Sequence, residues 1–168
     1  MQPLICASTI AHRVRELGAS IRADYAASPD PVLVGVLRGS LPFLADLMRA
    51  IDRPLRVDLL TVRSYQGTGA APPELLSGLS EPLAGSDVLV VEDIVDRGET
   101  IAAVTGVLAA SGARSVAVCS LLVRRERALP PGIEPRYAGF EIGPDFVVGY
   151  GLDYNQRYRN LPYIAVLG

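Results

Sequence analysis

Apolar positions recur along this chain with two periods, and their succession predicts the order of its elements. Ile10, Val14, Leu17, Ile21 and Tyr25 repeat at helical spacing behind Ser8 and Thr9, which predicts an amphipathic helix with a hydroxyl at its cap. Val32 to Leu37 is apolar throughout apart from Gly35, the pattern of a strand covered on both faces. After Arg38-Gly39-Ser40, Ser40 stands at the cap position of a second helix. That helix carries Leu44, Leu47, Met48 and Ile51 on one side and tolerates Pro42 in its first turn.

Val57 to Val62 predicts a further strand. Ser64 to Ser86 is rich in Gly, Pro and Ser with weak periodicity, which predicts a mobile loop of the length that often serves as a lid. Asp87 to Glu92 reads as another buried strand, Asp96 to Thr100 as a turn, Ile101 to Ala110 as a helix closed near Gly112, and Ser115 to Val123 as the next strand. Beyond Pro130-Pro131-Gly132, strand-like runs fall at Tyr137 to Ile142, Phe146 to Tyr150 and Tyr163 to Leu167. Strands alternating with helices imply an α/β fold, a mainly parallel sheet flanked by helices. Ligands in such folds sit outside the carboxyl ends of the strands.

Composition narrows the class. A chain of 168 residues with 49% hydrophobic content can fill one core without disulfides or a structural metal, so residues 1–168 are expected to form a single domain. Cys6 and Cys119 stand far apart with no metal-ligand spacing and read as reduced thiols. The net charge of −2 and pI near 5.4 supply no basic field for nucleic acid or anionic lipid, so neither is an expected partner. The N-terminus lacks the pattern of a signal peptide and no stretch approaches membrane-spanning length, which predicts a cytoplasmic protein. All 16 basic residues are Arg, so an Arg where Lys would also serve carries less information here than elsewhere.

The segment Val88-Leu89-Val90-Val91-Glu92-Asp93-Ile94-Val95-Asp96-Arg97-Gly98-Glu99-Thr100 carries the most specific chemistry. Four apolar residues lead into two acids, then a third acid, then a Gly-containing turn opening a helix. A turn and helix start of this kind offer free backbone N–H groups and the positive end of a dipole, suited to a terminal phosphate, with the Thr100 hydroxyl as an added donor. Two adjacent carboxylates can accept hydrogen bonds from a ribose diol or help to hold a hydrated Mg2+.

This segment resembles the phosphoribosyltransferase signature. Leu37-Arg38-Gly39-Ser40, the Ser64-Tyr65 pair, and Phe146-Val147-Val148-Gly149-Tyr150-Gly151-Leu152-Asp153-Tyr154 through Arg159-Asn160-Leu161-Pro162-Tyr163 extend the resemblance, in order, to the hypoxanthine-guanine branch. It implies that branch's fold, with a small base-binding hood and a flexible lid, and transfer of a phosphoribosyl group from phosphoribosyl pyrophosphate to a 6-oxopurine with Mg2+. It also implies a homodimer or homotetramer. By the resemblance Arg38 and Gly39 bind pyrophosphate, and Asp96, Arg97, Gly98, Glu99 and Thr100 hold the 5-phosphate. Glu92 and Asp93 face the ribose hydroxyls and join Asp153 around the metal. Asp96 is the general base, Arg124 donates to the purine 6-oxo group, Phe146 stacks on the purine and the backbone at Val147 meets its polar edge. Arg159 contacts pyrophosphate, and Ser64 and Tyr65 belong to the lid.

Three features depart from the pattern. Arg124 replaces the usual Lys, Arg97 and Glu99 flank Gly98 where small or neutral residues are usual, and Gln66 to Ser86 holds Pro72-Pro73 and no basic residue. His12 and the charges around Arg125 and Arg127 read as surface groups. A xanthine-preferring transferase and an RNA-binding regulator on the same scaffold are the competing readings. The acidic pI and the presence of Arg38, Asp96, Asp153 and Arg159 stand against the second.

Overall fold

In the computed structural model, whose described residues are 1–63, 74–75, 78–124, 126 and 129–168, the strand runs pair as their composition requires. In chain order the elements are β1 (Pro3–Ile5), α1 (Ala7–Asp24), β2 (Pro31–Leu37), α2 (Leu41–Ile51), β3 (Arg56–Arg63), β4 (Glu74–Leu75), β5 (Asp87–Val95), α3 (Glu99–Ala110), β6 (Ser115–Val123), β7 (Tyr137–Glu141), β8 (Val147–Val148) and β9 (Ile164–Val166). Strands β3, β2, β5, β6 and β7 lie side by side and parallel, and β4 adds an antiparallel edge next to β3. β1, β9 and β8 form a separate antiparallel sheet.

Alternation within the apolar strands explains why they are apolar throughout. Leu33, Leu89 and Val91 join the core shared with α1, α2 and the small sheet, whereas Val32, Val34, Val36, Val88 and Val90 join the core under α3. Successive side chains point to opposite faces and both faces are covered, so no position is left for a polar residue. On the edge strand β7, Arg13 of α1 donates from Nε to Gly139 O at 3.0 Å and from Nη2 to Ala138 O at 2.8 Å. Two backbone carbonyls of this strand are thereby occupied.

Several expectations are corrected. The N-cap of α1 is Cys6, with Ser8 and Thr9 already inside the first turn and their hydroxyls against Cys6 Sγ. Ser40 has helical backbone angles and its hydroxyl donates to Val36 O at 2.6 Å, so it closes the strand-to-helix turn instead of capping α2. β5 runs past Glu92, because Ile94 and Val95 pair with Leu122 and Val123 and Val95 is buried. The acids therefore sit within the strand's last turn of pleat. The stretch read as one loop from Ser64 contains β4, and its end is part of the body: Leu83 and Ser86 are buried, and Ser86 bonds Asp30 at 2.6 Å. Ser64 and Tyr65 lie outside the described residues. No helix among the described residues is long and apolar enough to cross a membrane.

Candidate active site

The carboxyl ends of β2, β3 and β5 open onto a cavity of about 930 Å³, closed on its far side by β8 and the loop after it. Its lining carries four carboxylates, on Glu92, Asp93, Asp96 and Asp153, and three guanidiniums, on Arg38, Arg124 and Arg159. Residues separated by more than half of the chain are brought together here. Thr100, Phe146 and Val147 also line it, while Arg97, Gly98 and Glu99 do not. Arg97 and Glu99 have exposed side chains, and Gly98 is the left-handed N-cap of α3 at φ 75°. Gly98 can serve a phosphate through its backbone only, beside the N–H groups of the first helical turn that have no intrahelical acceptor.

Glu92, buried, and Asp93, partly buried, form an adjacent acidic pair. Glu92 Oε1 accepts the Asp93 N–H at 3.3 Å and Asp93 Oδ1 accepts the Ile94 N–H at 2.9 Å, while Glu92 Oε2 is buried with no hydrogen-bond partner. Burial pushes the Glu92 carboxyl well above the usual carboxylate range, and the neighbouring Asp93 charge adds to it. Burial also raises Asp93, against the Glu92 and backbone hydrogen bonds and the Arg159 charge that lower it. The loop after β2, which begins with a cis Leu37-Arg38 peptide bond, lies directly against this pair. A Cβ at Gly39 would stand 1.6 Å from Asp93 Oδ2, so only glycine lets the loop backbone come so close.

At one end of the cavity Arg38 and Arg159 share an acceptor. Gln156 Oε1 receives Arg38 Nη1 at 3.4 Å and Arg159 Nη2 at 3.3 Å. Arg159 Nη2 also stands 2.6 Å from Asp153 Oδ1, and Asp153 Oδ2 accepts the Gln156 N–H at 2.8 Å. Sequence reasoning passed over Gln156, because nothing in its composition distinguishes it from any polar loop residue. Its left-handed backbone, φ 61°, turns its amide toward both arginines.

At the other end Phe146 is half exposed and meets Tyr154 edge-on at 5.9 Å between ring centroids. Leu167 N–H donates to Phe146 O at 2.9 Å, which makes Phe146 and Leu167 a hydrogen-bonded pair and the next pair, Val147 and Val166, a non-bonded one. The N–H and C=O of Val147 therefore point away from β9, along the open edge of β8. Arg124 spans from this end to the middle. Its Nη1 donates to Gly143 O, its Nη2 to Asp145 O at 2.7 Å, and its Nε faces Asp96 Oδ1 at 3.6 Å. Of five guanidinium hydrogens, one on each terminal nitrogen is left for a ligand acceptor.

Among the described residues no group of three or more His, Cys, Asp or Glu side chains could enclose a metal. Asp153 is already held by Arg159 and by the Gln156 backbone. Mg2+ does not need such a cage, since it keeps several waters and takes one or two carboxylates plus substrate oxygens. The unpartnered Glu92 oxygen and the Asp93 beside it suit a partly hydrated ion of this kind. His12 stands apart on α1, within 3.3 Å of Glu16.

The phosphoribosyl transferase domain family matches residues 7–155. The chain belongs to the phosphoribosyltransferase family. Within this family it is 43% identical over 172 residues to a hypoxanthine phosphoribosyltransferase of Salmonella typhimurium, covering 98% of this chain and 94% of that protein. It is 40% identical over 157 residues to a hypoxanthine-guanine phosphoribosyltransferase of Streptococcus agalactiae, covering 92% of this chain and 86% of the other. The crystal structure of a Staphylococcus aureus hypoxanthine phosphoribosyltransferase superposes with a TM-score of 0.93 at 38% identity, over 100% of this chain and 91% of that one. This phosphoribosyltransferase thus shares both its parallel sheet and its small second sheet with a solved relative.

Proposed function

We propose that this phosphoribosyltransferase joins hypoxanthine or guanine to the 5-phosphoribosyl group of phosphoribosyl pyrophosphate, giving IMP or GMP and pyrophosphate with Mg2+. The observation that carries the reading is the polarity of one cavity. Arg38 and Arg159 lie at one end, an exposed aromatic ring and an open strand edge at the other, and Glu92, Asp93 and Asp96 between them. A pyrophosphate, a ribose and a purine need those environments in that order.

The chemistry follows from the residues. The C1–O bond to pyrophosphate breaks and its electrons leave with the phosphate oxygens, where Arg38 and Arg159 offset the growing charge. Mg2+, held by Glu92 and Asp93 with the substrate's own oxygens, would supply further charge neutralisation to the leaving group. A purine nitrogen forms the new bond to C1, and Asp96 takes the proton the purine loses. Phe146 offers its face to the purine ring, the Val147 backbone its N–H and C=O to the ring's polar edge, and Arg124 its remaining hydrogens to O6. Thr100 and the α3 N-terminus receive the 5-phosphate. We further take residues 1–168 as one domain that assembles as a homodimer or homotetramer.

Adenine presents a donor at position 6, against which a cationic donor has nothing to bond. Pyrophosphate release is therefore measured with phosphoribosyl pyrophosphate, Mg2+ and each of hypoxanthine, guanine, xanthine and adenine. Release with hypoxanthine and guanine, lost on chelation of Mg2+, is expected. A preference for xanthine or adenine, or no release with any base, refutes the reading.

A further inference from the structure

One contact joins the cavity wall to the outer side of α2 without touching the cavity. Tyr150 stands in the middle of the Gly149-Tyr150-Gly151 turn, and all three residues have left-handed backbones, with φ of 100°, 48° and 102°. Glycine adopts this conformation freely, whereas a bulky residue persists in it only where its surroundings over-determine it. Here they do. The ring is buried in the same core as Phe43, Leu44 and Leu47 of α2, the hydroxyl donates to Asp46 Oδ2 at 2.6 Å, and the backbone N–H donates to Leu161 O at 2.8 Å. Burial, then the bond to Asp46, push the phenol above the ordinary tyrosine range, so the hydroxyl remains a donor at any working pH.

The turn meets the arginine end of the cavity twice through the next residue. Gly151 O accepts Arg159 Nη1 at 2.7 Å, and Gly151 N–H donates to Arg159 O at 3.0 Å. On its other side Gly151 lies against the loop after β2, where an added Cβ would stand 1.9 Å from Gly39 O. Any rotation of the turn moves Gly151, and with it both Arg159 and the Arg38-Gly39 loop. The purine end hangs instead from β8 and from the Arg124 bonds to Gly143 and Asp145.

We propose that Tyr150 is a positioning residue, whose hydroxyl bond to Asp46 holds the 149–151 turn in its left-handed form and so sets Arg159 and Gly39 at the spacing a pyrophosphate group requires. This rests on the assignment of that end of the cavity to pyrophosphate. Tyr150→Phe removes the hydroxyl and keeps the ring. Asp46→Ala removes the acceptor from a side chain that is 43% exposed, which spares the core should the first variant fold poorly. Inorganic pyrophosphate with Mg2+ is titrated by calorimetry into the wild type, both variants and the double variant, and KM is measured for phosphoribosyl pyrophosphate and hypoxanthine. Each single variant is expected to weaken pyrophosphate and raise KM for phosphoribosyl pyrophosphate by roughly tenfold, with KM for hypoxanthine within about twofold. The double variant adds nothing further, and Asp46→Asn, which keeps an acceptor, restores most of the affinity. Unchanged pyrophosphate affinity in both variants, an equal rise in the hypoxanthine KM, or additive effects overturn the proposal alone. A wild type that binds no pyrophosphate overturns the assignment of this end together with it.

Discussion

Replacing Arg124 separates its contacts most sharply. The side chain is 11% exposed and does three things at once: Nη1 and Nη2 hold the carbonyls of Gly143 and Asp145, and Nε faces Asp96 at 3.6 Å. The remaining terminal hydrogens are the proposed donors to O6. Truncation to Ala removes a charged donor from the purine, and bonds of that class are worth about 1.5–3 kcal/mol, or roughly 10- to 150-fold in kcat/KM. The two carbonyls it abandons lie near solvent and are rehydrated, so their loss adds mobility before Phe146 more than a desolvation cost. Arg124→Lys supplies one compact ammonium, which can reach O6 but cannot also hold two carbonyls and face Asp96. Its expected defect is intermediate, about 5- to 20-fold, and falls on the purine KM more than on kcat. The assay is kcat/KM for hypoxanthine, guanine, xanthine and adenine at saturating phosphoribosyl pyrophosphate and Mg2+, for the wild type and both variants. Hypoxanthine and guanine efficiencies unchanged in Arg124→Ala refute the placement of this residue in the purine pocket. A Lys variant equal to wild type refutes the importance of the bonds to Gly143 and Asp145.

Other perturbations test the remaining groups. Asp96→Asn should lower kcat about 100- to 10,000-fold with substrate binding largely kept, and wild-type turnover with chemistry rate-limiting would exclude Asp96 as the base. Gly39→Ala forces a methyl onto Asp93 Oδ2, and by the usual cost of overpacking, about 1–3 kcal/mol, activity should drop by roughly 5- to 150-fold; full activity would mean the loop can move away freely. Arg56 and Ser86 hold the Asp30 carboxyl below its usual range, and Arg114 and Ser115 do the same for Asp87. Each contributes stability that is complete above the unfolded carboxylate value of about 3.9 and is lost as pH falls through the lower folded value. Thermal melts from pH 6 downward should therefore steepen below about pH 4, and less so in Asp30→Asn and Asp87→Asn. Hydrogen bonds from Ser8 and Thr9 bring the exposed Cys6 thiol down to about 7, while burial raises Cys119. Iodoacetamide at pH 7.5 should label Cys6 alone, read by mass spectrometry of the peptides, and labelling of native Cys119 would contradict its burial.

Local pattern was enough for the scaffold. Val32 to Leu37 and Val88 to Val91 are apolar at every position but one because both faces of the sheet are covered, and that requirement is written residue by residue. Glu92 to Thr100 suggests its chemistry by residue type in one contiguous run, whereas Arg38-Gly39 and Phe146 to Arg159 were picked out through the family resemblance; residues of all three blocks line one cavity. Ser64 and Tyr65 remain expectations from the sequence, lying outside the described residues.

Tertiary structure decided whatever depends on a distant partner. β1 is three residues long and exists through its pairing with β9 near the other end of the chain, and β4 exists through its pairing with the end of β3. No local periodicity can announce strands so short. Ser40 was free to cap a helix by its sequence position, but the turn brought Val36 O within 2.6 Å and that acceptor took its hydroxyl. Arg124 reads as a donor, and only the fold supplies Gly143 and Asp145 as two of its acceptors. Gln156 and the Tyr150–Asp46 bond are of the same kind: the sequence determines that a polar group is present, and the packing of remote elements determines which group it meets.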